Sequence, residues 1–370
     1  MGFDDRFAYA VGRIRVLENR MVDQARFNRM IDAESHDELV RILGETEFGG
    51  ERDSRANAYE RLIDAELLRV HELVASISPD PALTGVFRAR HDFHNMKALL
   101  KAALAARDRH ITASSEPGDE GDRFARAERA LSSLGWLDVD AMKQAVEGML
   151  AGRPGPEPIA QSPWLGEAEE ARLAKAVVRA GELGIEAYEA RERDPQQIDF
   201  VIDKESFRYF FDIASKPGRE ALLERVRVMV DLTNALTCLR LRAMGKDAAF
   251  AADALLAGGT VPEAVLLEAY ALSDDEFWAV LRNTPYAAMV NDGVQSWKAT
   301  GSPWAMETSI TRTLADITAG WRRLDMGYEP VLGYLMAREA EADRLRRIFL
   351  GKMAKLPTKV IRERLSGAYA

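Results

Sequence analysis

Apolar residues recur every three to four positions along most of the chain, a spacing typical of amphipathic α-helices. Alternating β-branched runs, which are typical of strands, are nearly absent. Two segments interrupt the helical pattern: residues 107–122 are polar, and residues 152–166 contain four prolines and three glycines. The pattern therefore predicts an all-α protein with connections at these two segments. Shorter breaks are predicted near residue 245, at 258–259, around 285 and at 301–303.

An internal repeat is the most informative feature of the pattern. Two residues separate Asp92 from Asn95, and the same spacing separates Asp231 from Asn234. At +4, +7 and +8 from the acid, both segments have apolar or small residues: Met96, Leu99 and Leu100 in the first, and Ala235, Cys238 and Leu239 in the second. These positions share one face of a helix, so we predict two helices that each bury this seam.

Further matches extend the repeat to three copies. At 28 residues before each aspartate, Asp64 and Asp203 stand in segments that share isoleucine, aspartate, glutamate and arginine at the same places. A weaker third copy is centred on Glu341, with Leu345 at +4 and Arg344 where asparagine is expected. Below, the helices that contain Asp92, Asp231 and Glu341 are called the motif helices.

The three copies predict three similar helical domains. Their expected bounds are residues 1–112, 113–248 and 249–370, with the N-terminal helix packing on the third domain. A repeat of this length is far longer than a solenoid repeat, so we expect domains related by rotation rather than a stacked array. Such an arrangement predicts a pseudo-threefold body with a central cavity.

Composition and charge narrow the functional classes. The 370 residues are 47% apolar and 29% charged, and the formal net charge of −9 gives the whole molecule no attraction for nucleic acid or anionic lipid. No stretch approaches 18 uninterrupted apolar residues, so no membrane span is expected. The single cysteine, Cys238, excludes an internal disulfide and indicates a reducing compartment. Its seam position predicts a buried small hydrophobic residue.

Motifs of nucleotide-binding and hydrolytic enzymes are absent from the sequence. It has no G-x-x-x-x-G-K-[ST], G-x-G-x-x-G, H-E-x-x-H or G-x-S-x-G motif. One enzymatic alternative stays open: His71, His91 and Asp92, with His94 nearby, resemble the ligands of helical metal phosphohydrolases, in which a divalent metal activates water. The second and third copies lack these histidines, so we favour a packing role and expect neither metal nor cofactor.

Basic residues gather at the end of each motif helix, although the chain as a whole is acidic. They are Lys97 and Lys101 in the first copy, Arg240 and Arg242 in the second, and Arg346, Arg347 and Lys352 in the third. Cations near a helix C-terminus stabilise the helix dipole by about 0.3–1 kcal/mol each, which is the simpler explanation. The alternative is a basic collar for a partner, which makes these seven residues candidate partner contacts.

Several segments resemble the C-subunit family of V/A-type ATPases, which is related to the d subunit of eukaryotic V-ATPases. Residues 328–347, YEPVLGYLMAREAEADRLRR, are similar to its C-terminal motif, and residues 9–18, YAVGRIRVLE, to its N-terminal motif. Residues 92–95, DFHN, and 202–204, IDK, are similar to its internal motifs. The matches follow the family's order over nearly the whole chain, and Arg344 departs from the asparagine usual in the family.

The resemblance implies a non-catalytic rotor subunit with a funnel-like body of three helical domains. In that family the subunit sits on the cytoplasmic end of the membrane proteolipid ring and receives the central stalk, so these are the implied partners. We therefore expect a cytoplasmic, peripheral component of an ATPase or ATP synthase that transmits torque for proton or sodium transport. A helical scaffold unrelated to rotary motors is the remaining alternative.

Overall fold

The structure, a computed structural model, describes residues 5–49, 58–112, 123–153, 155–282 and 284–369. The α-helices in these ranges are α1 Ala8–Glu18, α2 Gln24–Asp32, α3 His36–Leu43, α4 Ala58–Ile77, α5 Pro81–Thr84, α6 Ala89–Thr112, α7 Val139–Leu150, α8 Glu167–Ala190, α9 Pro195–Ala214, α10 Glu220–Ala243, α11 Ala248–Ala254, α12 Glu263–Tyr270, α13 Asp274–Leu281, α14 Ala287–Thr300, α15 Trp304–Arg322, α16 Glu329–Met353 and α17 Thr358–Tyr369. Short 3-10 helices span Asp5–Phe7, Glu47–Gly49 and Val86–Arg88. The predicted all-α class is confirmed.

The predicted interruptions fall between helices, with one correction. α7 ends at Leu150 and α8 begins at Glu167, so the described part of residues 152–166 is a connection. The predicted loop at 107–122 was wrong for residues 107–112, because α6 continues to Thr112. Contacts with α8 hold the beginning of these six residues: Arg107 lies 2.5 Å from Glu189, and the Tyr188 hydroxyl donates to Asp108 at 2.6 Å. Residues 113–122 of the predicted loop lie outside the described residues.

Polar side chains set the beginnings of several helices. Residues at the N-caps accept a hydrogen bond from a backbone N–H two or three residues later, which satisfies an otherwise unpaired donor. They are Asp23 for α2, Ser35 for α3, Asp138 for α7, Asp194 for α9 and Asp247 for α11. These local signals explain why the helices begin where the sequence changes from polar turn residues to the apolar pattern.

The chain forms two compact units. Unit 1 consists of Met1–Thr84, Asp231–Gly245 and Glu268–Ala370, and unit 2 consists of Gly85–Val230 and Lys246–Leu267. α10 therefore contributes residues to both units. The division into three domains and the funnel-like body stay predictions.

The core of unit 1 forms around the motif helix α16. This helix packs against α1, α4 and α15, among others. Its seam residues Leu345, Ile348 and Phe349 are fully buried, and the Phe349 ring stacks on the Tyr59 ring of α4 with centroids 4.2 Å apart. Burial of these apolar side chains is the main stabilising contribution, at roughly 25 cal/mol per Å² removed from water.

The core of unit 2 forms around the motif helix α6, which packs against α7, α8 and α9. Met96, Leu99 and Leu100 of its seam are fully buried. Gly181 of α8 permits close packing, because a Cβ at this position would come within 2.9 Å of the Met96 sulfur. Within the described residues of the whole chain, we find no helix both long enough and apolar enough to cross a bilayer.

Candidate functional site

The acid of the first motif helix, Asp92, holds a segment more than forty residues away in sequence. Its side chain is fully buried, and its two carboxylate oxygens accept hydrogen bonds from the backbone N–H groups of Trp136 and Leu137, at 3.0 and 2.9 Å. A Cβ at Gly135 would overlap the Asp92 carboxylate, so glycine is required for this close approach. Arg88 completes the clamp: its guanidinium donates to the Leu134 carbonyl at 2.7 Å and lies 4.1 Å above the Trp136 ring.

The other polar residues of the first motif hold the adjoining segment. The Asn95 amide accepts from the Ser132 N–H at 2.8 Å and donates to the Ser132 carbonyl at 2.9 Å. His91 Nδ1 lies 2.9 Å from the Ser132 hydroxyl, and His94 Nε2 lies 2.8 Å from the Ala130 carbonyl. The polar residues of this motif are therefore used to fasten the connection between α6 and α7.

These contacts bear on the metal-phosphohydrolase alternative. Both oxygens of Asp92 already accept backbone hydrogen bonds, and His71 belongs to unit 1, where its Nε2 lies 3.2 Å from a Glu339 carboxylate oxygen. In the described part of the chain, no three histidine, cysteine, aspartate or glutamate side chains group in a way that could hold a metal ion. No observation of this structure favours that alternative.

The acid of the third motif helix, Glu341, makes an equivalent clamp in unit 1. It is buried, and its carboxylate accepts from the Val22 N–H at 2.6 Å and from Arg338 at 2.7 Å. Arg338 also donates to Glu66 of α4 at 2.7 Å and lies 4.4 Å above the Phe48 ring. One buried arginine thus bridges two buried carboxylates and ties the C-terminal motif helix to α4.

The acid of the second motif helix, Asp231, is also buried and accepts a hydrogen bond from the Tyr286 hydroxyl at 3.0 Å. Asn234, which follows it in the motif, is buried as well. In all three motif helices the acid accepts a hydrogen bond from a group outside its own helix. The seam residues that follow the acids are buried in each copy.

Burial alters the acid–base behaviour of two of these groups. Desolvation raises the pKa of Asp92 to about 7, although its two backbone hydrogen bonds and Arg88 act in the opposite direction. Desolvation likewise raises the pKa of Glu341 to about 7, with Arg338 and the Val22 N–H opposing the increase. Both carboxyls therefore take up protons more readily in the folded chain than in the unfolded one.

We expect the stability of the chain to carry a pH dependence that Glu341→Gln removes. Between the ordinary Glu pKa of 4.5 and the folded value of about 7, the native state binds more protons than the unfolded state. The unfolding free energy of the unsubstituted chain, measured relative to that of the variant, should therefore fall as pH rises through this window. The fall should be about 3 kcal/mol and should level off above the folded pKa. Urea unfolding at half-unit pH steps measures the difference, and a flat or rising difference would contradict it.

The predicted partner-contact bases lie in intramolecular ion pairs that link the copies. Lys97 pairs with Asp203 at 2.7 Å, and Arg346 pairs with Asp64 at 2.5 Å. Both cations stand at +5 from the motif acid, and both aspartates stand 28 residues before a motif acid. The helix of Asp203, in the second copy, therefore pairs with the motif helix of the first copy. In the same way, the helix of Asp64, in the first copy, pairs with the motif helix of the third copy.

The bases at +9 from the motif acids pair with other copies in the same order. Lys101 of the first copy pairs with Asp199 of α9, and Arg240 of the second pairs with Glu307 of α15, each at 2.5 Å. The third copy has the exposed Leu350 at +9 instead of a base.

A charge swap tests one of these links between copies. Arg346→Asp or Asp64→Arg alone should lower the unfolding free energy by about 1 kcal/mol, because each single change places like charges together at a half-exposed pair. The double swap should recover most of the loss, which a double-mutant cycle of urea-unfolding free energies would measure. Strictly additive losses would show that the pair does not couple the two helices.

The remaining predicted bases also have partners within the chain. Arg242 donates to the carbonyls of Tyr270 and Leu272, Arg347 pairs with Asp343, and Lys352 donates to the Ala33 carbonyl. Each of the seven bases thus has a role inside the protein. Their contact with another subunit stays a prediction.

Sequence reasoning missed a set of buried arginines. Arg88, Arg225 and Arg338 each precede a motif acid by three to six residues, and each lies over an aromatic ring. The sequence does contain a signal for this set, because an arginine lies within two helical turns before each acid. The contacts of these arginines could not be predicted, because the aromatic rings that they cover are far away in the sequence.

Comparison with known proteins gives a consistent result. The sequence model of the ATP synthase (C/AC39) subunit family matches residues 10–364. The C subunit of the A-type ATP synthase of Methanocaldococcus jannaschii is 24% identical over 97% of this chain and 86% of its own length. The C subunit of the V-type sodium ATPase of Enterococcus hirae is 20% identical over 96% and 97%, and that of the A-type ATP synthase of Pyrococcus abyssi is 23% identical over 92% and 85%.

Proposed function

The chain belongs to the ATP synthase (C/AC39) subunit family, and from this premise we propose that it is a non-catalytic coupling subunit of a rotary ATPase or ATP synthase. In this role it links the central stalk to the membrane proteolipid ring and transmits torque for ATP-coupled proton or sodium transport. It is a peripheral component on the cytoplasmic face, held there by the complex. The observation that carries the proposal is the family match over nearly the whole chain, from residue 10 to residue 364.

The clamps of the motif helices support a mechanical role. A subunit that transmits torque must resist deformation, and buried hydrogen-bonded groups fix the relative positions of the segments that they join. Arg338 and Glu341 tie the C-terminal motif helix to α4 and to the backbone at Val22. Asp92 and Arg88 do the same for the segment that follows α6.

The exposed bases suit contacts with other subunits. Arg240 and Arg347 keep about half of their side-chain surface exposed although each is paired within the chain. Ion pairs of this kind are individually weak, so a partner carboxylate can share the cation at small cost. We include such contacts in the proposal, because many modest polar contacts hold collectively and remain separable.

Purification of the motor from its native membranes tests the proposal. An affinity tag on a different subunit of the ATPase should recover this chain with both the central stalk and the proteolipid ring. In a strain that lacks the chain, the same purification should yield stalk and ring in separate fractions. Recovery of stalk and ring together without this chain would refute the coupling role.

A further inference from the structure

An open groove in unit 2 lies between α6 and the segment 123–130. Its volume is about 500 Å³. Small apolar side chains form half of its lining: Ala98, Ala102 and Ala105 of α6, and Ala127 and Ala130 of the facing segment. The polar residues of the lining, called the rim below, are His94, Lys97, Lys101 and Arg126, with Asp199 of α9. The groove therefore combines alanine side chains with mainly basic polar groups.

The shape of the groove fits a helix. Ala98, Ala102 and Ala105 lie at helical spacing on one face of α6, and alanine lets a second helix approach closely because interaxial distance depends on the side chains at the contact. From the dimensions of an α-helix, the volume corresponds to roughly one turn. The hydrogen bond between His94 and the Ala130 carbonyl fixes the facing wall at this separation.

The charges of the rim select the occupant. Three cations, Lys97, Lys101 and Arg126, outnumber the two carboxylates beside them, Asp199 and Asp203, so the rim has a net positive charge that attracts acidic groups. Asp199 and Asp203 hold the two lysines in place, and Arg126 is exposed.

Other anionic ligands fit this surface less well. The alanine side chains offer no donors to surround a small phosphate. The net charge of −9 disfavours nucleic acid.

We propose that this groove docks an amphipathic helix of another subunit, with small apolar residues on its inner face and aspartate or glutamate on both flanks. The acids of that helix share the rim cations, and its apolar face covers the alanines. The inference rests on the proposed function, since the complex supplies the partner. Beyond that function, it specifies which surface of this chain binds the partner and what kinds of residues the bound segment has.

Site-specific crosslinking within the purified complex tests the proposal. Cys238 is fully buried, so an introduced cysteine is the reactive one. A benzophenone attached at Ala105→Cys in the groove should crosslink to an acidic helical segment of another subunit. The same group at Ala168→Cys, an exposed position of α8 outside the groove, should not reach that segment.

The outcomes separate the two proposals. If the chain is present in the complex but Ala105→Cys gives no crosslink to another subunit, or reaches only a segment without acidic residues, the groove proposal fails and the coupling role stands. If the chain is absent from the complex, the coupling role fails and the groove proposal fails with it.

A charge variant supplies a second readout on the same complex. Arg126→Glu should weaken association of the purified chain with the remainder of the complex by about threefold to thirtyfold at low salt, and by less at high salt. The matched control Lys175→Glu removes an exposed base of α8 outside the groove and should leave the affinity unchanged. Equal effects of the two variants would overturn the assignment of the groove.

Discussion

Replacing Arg338 with methionine should lower the free energy of unfolding by about 3–5 kcal/mol. The change removes the charged hydrogen bonds of Arg338 to two buried carboxyls, those of Glu66 and Glu341, and Glu66 keeps its ion pair with Arg69. Methionine preserves helix propensity and most of the side-chain volume, so the loss reports the removed bridge between the two carboxyls. Urea unfolding followed by circular dichroism measures the total, and hydrogen exchange of the α4 and α16 amides shows where the structure opens.

The matched control for this prediction is Arg347→Met on the same helix. Arg347 pairs with Asp343 at a half-exposed position, and its loss should cost less than about 1 kcal/mol. Neutralising the two acids, in the combination of Arg338→Met with Glu66→Gln and Glu341→Gln, should recover part of the loss. Equal costs for Arg338→Met and Arg347→Met would contradict the bridging role of Arg338.

Replacing Asp92 with alanine should lower the free energy of unfolding by about 2–6 kcal/mol. Two buried N–H groups, those of Trp136 and Leu137, lose their acceptor, and each such loss costs about 1–3 kcal/mol. Hydrogen exchange at these two amides should accelerate more than at amides elsewhere in unit 2, which gives a local readout.

Two further variants sharpen the Asp92 prediction. Asp92→Asn keeps the volume but turns a donor toward one N–H group, so it should rescue only part of the loss. Asp212→Ala removes an exposed acid of α9 and should change the stability by no more than about 0.5 kcal/mol. A cost for Asp92→Ala as small as that of Asp212→Ala would refute the clamp.

The sequence was sufficient to predict the helical class and most of the breaks, because these depend on local spacing. It was also sufficient to suggest the family, because several segments resemble the family's motifs in the same order. The prolines and glycines at 152–166 predict a connection between helices, and this prediction does not depend on tertiary contacts. The end of α6 was predicted too early because Arg107 and Asp108, where the polar stretch begins, are held by Tyr188 and Glu189, some eighty residues further on. A polar segment without those partners would not be expected to stay helical.

The partners of the motif residues could not be read from the sequence. Asp92 and Glu341 are equivalent in the repeat, yet one holds the backbone at residues 136–137 and the other the backbone at Val22. Helical spacing predicts which residues share a face of the helix, but it does not predict which segment packs against that face. For the same reason, the sequence could not predict that Lys97 and Arg346 each lie beside an aspartate of another copy.

Reconstitution of ion transport tests the coupling role most directly. In membranes stripped of this chain, the soluble part of the motor should still hydrolyse ATP, but hydrolysis should not drive ion movement. Adding back the purified chain should restore ATP-driven transport, because torque then reaches the ring. ATP-driven transport at the full rate in membranes without the chain would contradict the account.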